Sequence, residues 1–145
     1  QGILGFALRC DGSKTDLLYV DGGPATTGTV GHLRMIGNQV FRHAVVNISE
    51  AIVSAAKVAD ISIPEIDWFV PHQANQRIIR GVGERLGLDE NRVVSTVDQH
   101  ANTSAASIPL AMDVAIKDGR IKRGDLVVLE AMGGGLTWGA CAFRL

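Results

Sequence analysis

The residues with the clearest potential for chemistry are two polar side chains that follow apolar, strand-like segments. His72 follows residues 66–70, a run of β-branched and aromatic residues typical of a short buried strand, and precedes a helical pattern. Asn102 follows a second such segment, 93–97, and also precedes a helical pattern. Because ligands of α/β sheets bind at the carboxyl ends of strands, the spacing predicts that both side chains lie at one functional edge.

A third strand-like segment, 126–130, leads into the glycines at 133–135. An imidazole, a carboxamide and bare backbone amides all supply hydrogen-bond donors, and none of them is a nucleophile, so the set suits stabilisation of an oxyanion. Structural interpretations remain open beside this one. His72 can be a buried, hydrogen-bonded imidazole, Asn102 can form a helix cap or Asx turn, and Gly134 can serve a tight turn with positive φ.

Composition predicts one domain and argues against several classes of function. The chain has 145 residues, a formal net charge of -1, 46% hydrophobic residues and a mean hydropathy of +0.18. The charge balance favours neither nucleic acid nor an anionic membrane as partner. The absence of a secretory signal and of an apolar run of ~20 residues predicts a cytoplasmic protein. The apolar content, and a start at Gln1 inside a strand-like segment, predict a processed or truncated chain with one face packed against another part of the protein.

The two cysteines predict neither a metal site nor a nucleophile. Cys10 and Cys141 stand in alternating apolar segments without the Cys/His spacing of a zinc site, and no helix amino terminus lies beside them to lower a thiol pKa. The pattern therefore predicts that both are small core residues.

The order of elements predicts the α/β class. Strand and helix patterns alternate, which indicates a mixed, mostly parallel sheet of about five strands with helices packed on it and an antiparallel edge pair. Residues 24–37 are predicted to be a loop, and a long helix is predicted to begin at 37–38 and to end before Pro64. The remaining predicted strands are 2–10, 17–20, 66–70, 93–97, 126–131 and 137–145.

Four motifs together resemble one protein family. Residues 37–41 (GNQVF), 67–75 (DWFVPHQAN), 100–107 (HANTSAAS) and 130–139 (EAMGGGLTWG) are similar to the C-terminal half of a β-ketoacyl-acyl carrier protein synthase III, a thiolase-like condensing enzyme. The resemblance implies one half of the duplicated thiolase-like fold, with residues 1–145 as the C-terminal domain. It also implies that the nucleophilic cysteine lies in an N-terminal half outside this chain, so the isolated chain is predicted to be inactive.

The resemblance implies the first step of type II fatty acid synthesis, a decarboxylative Claisen condensation of an acyl-CoA primer with malonyl-acyl carrier protein. It implies that His72 and Asn102 donate hydrogen bonds to the enolate oxygen. The backbone amide of Gly134 would help to form the oxyanion hole for the acyl-cysteine thioester. It implies a homodimeric enzyme without metal or cofactor, since the CoA thioester and the carrier's phosphopantetheine are substrates.

Further residues receive roles by the same resemblance. Substrate binding is implied for Asn38, Phe41, Ala74 and Asn75, although Asn38 and Asn75 also fit helix N-caps. Three arginines are implied in docking of the acidic carrier protein, with Arg77 first among them, although a solvated helix face is the usual explanation for such charges. These arginines are Arg77, Arg42 and Arg80.

Two other functions remain open. A type III polyketide or quinolone synthase-like enzyme would use malonyl-CoA with the same His72 and Asn102 pair, although the run at 133–138 favours the synthase III family. A non-catalytic module that binds acyl groups or the carrier would suit the missing cysteine. Retention of both donors favours a truncated enzyme over that module.

Overall fold

The fold is a four-stranded mixed sheet with helices on both faces and a separate two-stranded ribbon. It is taken from a computed structural model that describes residues 2–145. The strands are β1 (Gly2–Cys10), β2 (Leu18–Val20), β3 (Leu33–Met35), β4 (Trp68–Pro71), β5 (Leu126–Gly133) and β6 (Thr137–Arg144). The helices are α1 (Gly37–Val58), α2 (Gln76–Leu86), the short α3 (Val97–His100) and α4 (Ser107–Lys117). Single 3₁₀ segments lie at Gly12–Leu17, Ile63–Glu65, Glu90–Arg92 and Ser104–Ala106.

The sheet has the order β1-β6-β5-β4 and is less parallel than the sequence predicts. β6 pairs antiparallel with both β1 and β5, and β4 pairs parallel with β5. The predicted strand 93–97 is reduced to one parallel bridge between Phe69 and Val93. The reason is that the N–H of Thr96 binds the side-chain oxygen of Gln73 instead of a strand carbonyl. The predicted α/β class is confirmed.

The helix boundaries follow local chemistry. Asn75 caps α2 by accepting a hydrogen bond from the N–H of Arg77 (2.8 Å), and Gly87 ends this helix in the left-handed conformation (φ 66°). Pro109 lies in the first turn of α4, where its missing N–H costs no intrahelical hydrogen bond.

The prediction that residues 24–37 are all loop is wrong. β3 forms inside this range and pairs antiparallel with β2. Asp21 stabilises the ribbon, because its carboxylate accepts hydrogen bonds from the backbone N–H of His32 and from the guanidinium of Arg34.

Alternate residues of the central strands face two separate cores. Phe69 and Val128 belong to the core that α1 covers, whereas Val70 and Val127 face the core that α4 covers. This is the pattern of a strand that is buried on both faces.

α4 leaves part of its side of the sheet open. Phe6 and Leu8 of β1 are 60% and 68% exposed, and with Leu129 and Cys141 they line an apolar groove of about 530 Å³. The prediction that both cysteines are core residues is wrong. Cys10 is exposed because the even-numbered residues at the end of β1 face away from α1. Cys141 on β6 lines the groove and is half-buried.

Gly5 marks the closest approach of β1 to α1. A Cβ atom at this position would lie 2.7 Å from both the carbonyl oxygen of Ala55 and the backbone nitrogen of Ala59. We expect Gly5→Ala to lower the free energy of unfolding by about 1–3 kcal/mol, because the backbones must separate. Urea unfolding followed by circular dichroism measures the change. Gly12→Ala, which has open space around its Cβ position, is the control, and equal midpoints for the two variants would contradict this packing.

Candidate active site

His72 directly follows β4 and is held on both sides. Its backbone N–H donates to the carbonyl of Glu130 on β5 (2.9 Å), and its own carbonyl accepts from the N–H of Ala74 (2.8 Å). The imidazole Nδ1 lies 2.5 Å from the hydroxyl oxygen of Ser107 at the start of α4. Burial lowers the pKa of His72 below its usual value, so the ring is predominantly neutral at pH 7.

The side chain of Gln73 fixes the turn that presents His72. It is fully buried, and its amide nitrogen donates to the carbonyls of Pro71 (2.8 Å) and Val94 (3.2 Å). Its amide oxygen accepts from the N–H of Thr96 (2.7 Å). The sequence analysis gave Gln73 no role, although a buried amide immediately beside a candidate catalytic histidine is the kind of group that must find such partners.

Asn102 lies in a tightly wound loop between α3 and α4. Ala101 and Ser104 on either side have positive φ angles of 53° and 54°. The side-chain oxygen of Asn102 accepts from the N–H of Ser104 (2.9 Å), so the Asx turn that the sequence allows is present. Its amide nitrogen makes no hydrogen bond within residues 2–145, and the exposed side chain keeps that donor free for a ligand.

The glycine turn between β5 and β6 differs from the predicted form. The positive φ belongs to Gly135 (141°) and not to Gly134, so the interpretation of Gly134 as a positive-φ turn residue is wrong. Gly134 is needed for space, because a Cβ atom there would lie 2.7 Å from the carbonyl oxygen of Leu18.

The structure brings these segments to one edge of the sheet. β4 and β5 are parallel, so His72 and the glycine turn both follow carboxyl ends of neighbouring strands. The contact between His72 and Ser107 joins that edge to the segment that leads from Asn102 into α4. The segments that carry His72, Asn102 and the glycine turn are therefore connected at this edge, and the chemical roles of these residues stay predictions.

A second group of predicted residues lies where α1 approaches α2. The guanidinium carbon of Arg77 lies 5.1 Å from the ring centroid of Phe41, a cation–π arrangement. A Cβ atom on Gly81 would lie 3.0 Å from the Val45 side chain, which explains this glycine within a helix. Ala74 is half-buried and immediately precedes the cap residue Asn75.

The remaining predicted site residues, Asn38, Arg42 and Arg80, are exposed and make few contacts. Asn38 is exposed in the first turn of α1, whose N-cap is Ile36, so the N-cap interpretation of Asn38 is wrong. Arg42 is exposed, and Arg80 forms a surface ion pair with Glu84 (3.4 Å). Such an exposed ion pair contributes little to stability. Arg42 and Arg80 therefore both lie on a solvated face.

The sequence analysis also gave no role to Glu130. This residue is 3% exposed on the face of β5 that α1 covers, and its Oε2 has no hydrogen-bond partner within residues 2–145. Burial raises the pKa of its carboxyl group to about 8. The signal in the sequence was a single carboxylate at the end of an otherwise apolar strand.

Three further buried polar atoms between α2 and α4 lack partners within the described chain. They are Thr96 Oγ1, His100 Nδ1 and Thr103 Oγ1. Buried polar groups are normally paired, so this segment has unused hydrogen-bonding capacity next to Asn102.

Residues 2–145 contain no cluster of three or more histidine, cysteine or acidic side chains that could hold a metal ion. Within the same residues, no helix has both the length and the apolar character needed to cross a membrane.

Comparison with known proteins defines first a class and then a family. The fold is thiolase-like: the crystal structure of 3-oxoacyl-[acyl-carrier-protein] synthase III from Aquifex aeolicus superposes with a TM-score of 0.91 at 39% identity, over 99% of this chain and 44% of that one. The family model for the C terminal of 3-oxoacyl-[acyl-carrier-protein (ACP)] synthase III matches residues 56–145. The chain belongs to this family.

Relatives that match over the whole chain agree. The β-ketoacyl-[acyl-carrier-protein] synthase III of Caulobacter vibrioides is 72% identical over 145 residues, and that of Sphingopyxis alaskensis is 61% identical over the same length. The chain spans 45% of the length of each of these relatives.

The buried carboxyl group of Glu130 makes stability depend on pH. Folding raises the pKa of the Glu130 carboxyl group from 4.5 to about 8. The stability that the neutral group contributes to the folded state is therefore fully present below pH 4.5 and is lost as the pH rises towards and through 8. We expect Glu130→Gln to remove this loss, so that the variant gains stability relative to wild type by about 5 kcal/mol between pH 4 and 9. Urea unfolding at several pH values measures the difference.

The exposed Glu50→Gln on α1 provides the control and should follow the wild-type curve. Parallel curves for the wild-type and Glu130→Gln proteins would show that Glu130 is not held in its neutral form.

Proposed function

We propose that this chain is the C-terminal half of an enzyme that initiates fatty acid synthesis by condensing an acyl-CoA primer with malonyl-acyl carrier protein. The observation that supports this most directly is the presence of two free donors, an imidazole and a carboxamide, at the sheet edge of a chain 72% identical to a β-ketoacyl-[acyl-carrier-protein] synthase III. Residues 1–145 form the C-terminal domain of that enzyme.

The proposed reaction proceeds in two stages. The primer's acyl group first moves from CoA to a cysteine in the remainder of the protein, and CoA leaves as the thiol. The malonyl thioester then loses CO2, and the electron pair of the broken C–C bond forms an enolate. The enolate carbon attacks the acyl-cysteine thioester, the cysteine thiolate leaves, and a 3-oxoacyl product remains on the carrier.

In this mechanism His72 and Asn102 donate to the enolate oxygen. His72 uses its Nε2, because Nδ1 is engaged by Ser107. Asn102 uses its side-chain nitrogen, because the side-chain oxygen holds the Asx turn. The backbone amide of Gly134 contributes to a separate oxyanion hole for the acyl-cysteine thioester. Each such donor is typically worth ~10²–10³ in rate.

The apolar groove on the open side of the sheet supports a partner domain. Exposed Phe6 and Leu8 on an edge strand would otherwise form a contiguous apolar surface. We assign this face to the N-terminal half. That half would also bring the cysteine to the edge of the sheet that carries His72 and Asn102, which we call the donor edge. A homodimer of the complete enzyme and a cytoplasmic location remain predictions.

Substrate and carrier contacts are assigned to the region where α1 meets α2. Asn38, Phe41, Ala74 and Asn75 would line the path of the pantetheine arm. Arg77 stacks on Phe41, so its charge lies beside that path and can attract an acidic carrier protein. Arg42 and Arg80 would extend the positive surface. The CoA thioester and the carrier's phosphopantetheine act as substrates, and the proposal requires no metal or cofactor.

A second candidate is a condensing enzyme of polyketide synthesis. The priming β-ketosynthase of the R1128 polyketide pathway superposes with a TM-score of 0.88, covering 99% of this chain at 33% identity. The much higher identity to synthase III proteins favours fatty acid synthesis.

His72→Ala tests the proposal by separating the two stages. In a full-length protein that carries this sequence, we expect malonyl decarboxylation to fall by ~10²–10³ while acylation of the cysteine by acyl-CoA stays near the wild-type rate, since the stages use different oxyanion sites. Release of labelled CO2 and acyl-enzyme formation measure them separately. His32→Ala, an exposed histidine in the β2–β3 connection, is the control. An equal loss in both stages would overturn the assigned role.

Asn102 offers a pair of variants with opposite expectations. Aspartate keeps the oxygen that accepts from Ser104 and therefore preserves the turn, but it removes the donor and adds negative charge beside the enolate. Alanine removes the donor without adding charge. We expect Asn102→Asp to decarboxylate more slowly than Asn102→Ala, with both at least ~10²-fold below wild type.

Decarboxylation rates at equal folded fraction, checked by circular dichroism, decide between the two roles of Asn102. If this residue only formed the turn, Asn102→Asp would retain near wild-type activity, because aspartate accepts the same hydrogen bond.

A further inference from the structure

The hydroxyl group of Ser107 is buried between two partners. The residue is 1% exposed at the first position of α4. Its oxygen lies 2.5 Å from Nδ1 of His72 and accepts a hydrogen bond from the backbone N–H of Gln73 (3.2 Å). Both partners belong to the turn that follows β4, so this single hydroxyl joins α4 to the strand end.

The proton inventory of this cluster decides the direction of the short contact. A serine hydroxyl has one hydrogen and two lone pairs, and a backbone N–H can only donate. Gln73 therefore occupies one lone pair of Ser107. The hydroxyl hydrogen has no other recorded acceptor within residues 2–145, so it is satisfied when it points to an unprotonated Nδ1 of His72. In the reverse arrangement, Nδ1–H would donate and the hydroxyl hydrogen would be buried without a partner.

The neutral imidazole is the form for which this choice matters. Burial disfavours the charged ring, and the partial positive charge at the amino terminus of α4 acts in the same direction. The titratable neighbour on β5 is Glu130, which is uncharged below about pH 8. The charged residues of α4, Asp113 and Lys117, are exposed and pair with each other (2.8 Å). No charge on these elements therefore faces His72 in the range where it titrates.

We propose that Ser107 is a positioning residue that donates its hydroxyl hydrogen to Nδ1 and so fixes His72 in the neutral tautomer with its proton on Nε2. The catalytic consequence rests on the function proposed above. Nε2–H is the donor that an enolate oxygen needs, whereas the other tautomer would present a lone pair to that oxygen. The backbone N–H of Gln73 contributes by orienting the hydroxyl.

The tautomer can be measured without any assay of activity. In the full-length protein labelled with ¹⁵N at histidine, the spectrum above the His72 pKa should show a protonated Nε2 and an unprotonated Nδ1, with assignment by loss of the signals in His72→Ala. A protonated Nδ1 would overturn the proposal. This measurement stands even if Ser107 variants do not fold.

Ser107→Ala adds a test that distinguishes the two possible directions of the hydrogen bond between Ser107 and His72. A hydrogen bond donated to Nδ1 stabilises the neutral ring, so its loss should raise the pKa of His72 towards its usual value, whereas loss of an acceptor for Nδ1–H should lower it. We expect the rise, together with a decrease of about tenfold in malonyl decarboxylation. We expect Ser107→Thr, which keeps a hydroxyl, to restore both values towards wild type.

Ser49→Ala is the matched control, since Ser49 is also a buried helical serine, whose hydroxyl donates to the carbonyl of Val45 (2.7 Å). It should change neither the tautomer nor the pKa of His72. A fall in that pKa in Ser107→Ala, or an effect of Ser49→Ala equal to that of Ser107→Ala, would refute the positioning role. Full decarboxylation by His72→Ala would instead refute the proposed function and leave the tautomer result intact.

Discussion

The buried amide of Gln73 is the interaction on which the donor edge depends. β4 is only four residues long, and the neighbouring segment after α2 pairs with it through a single bridge. A regular ladder would hold such a strand end through backbone hydrogen bonds, and here one side chain replaces that ladder by binding Pro71, Val94 and Thr96. A fully satisfied buried amide is rigid, because every alternative rotamer leaves polar groups unpaired. The backbone of His72, which is adjacent to Gln73, is restrained by the same hydrogen bonds.

The same edge is built from uncharged groups. Burial keeps His72 neutral by lowering its pKa and keeps Glu130 neutral by raising its pKa, so both effects have one physical cause and opposite signs. Neutral donors need less desolvation than ions, and in a site shielded from water their dipoles act strongly on a developing negative charge.

The sequence predicted the fold wherever the signal was local. The apolar run of β5 and the Asn75 cap both follow from residue chemistry within a few positions. Predictions were wrong where tertiary contacts decide. Segment 93–97 has strand composition, but the Gln73 side chain takes the N–H of Thr96. Cys10 alternates with apolar residues, but its side of β1 is open.

The candidate site divides in the same way. His72, Asn102 and the glycine turn could be singled out from the sequence, because each follows a strand-like segment and lies in a short, distinctive stretch. Neither Ser107 nor Glu130 could be given a role from the sequence, because the burial of Glu130 and the contact of Ser107 with His72 arise only in the folded chain. The residue type of Gly134 left open a turn with positive φ, whereas the structure places the positive φ at Gly135 and requires Gly134 for its closeness to Leu18.

Hydrogen bonds among residues 2–145 orient both proposed donors. Gln73 and Ser107 hold His72, and the Asx turn with Ser104 holds Asn102. The apolar groove of β1 and β6 makes no contribution to these contacts, although it is the surface that a partner domain would cover. A domain on that surface would add exclusion of water and delivery of the acyl group to the proposed enolate step.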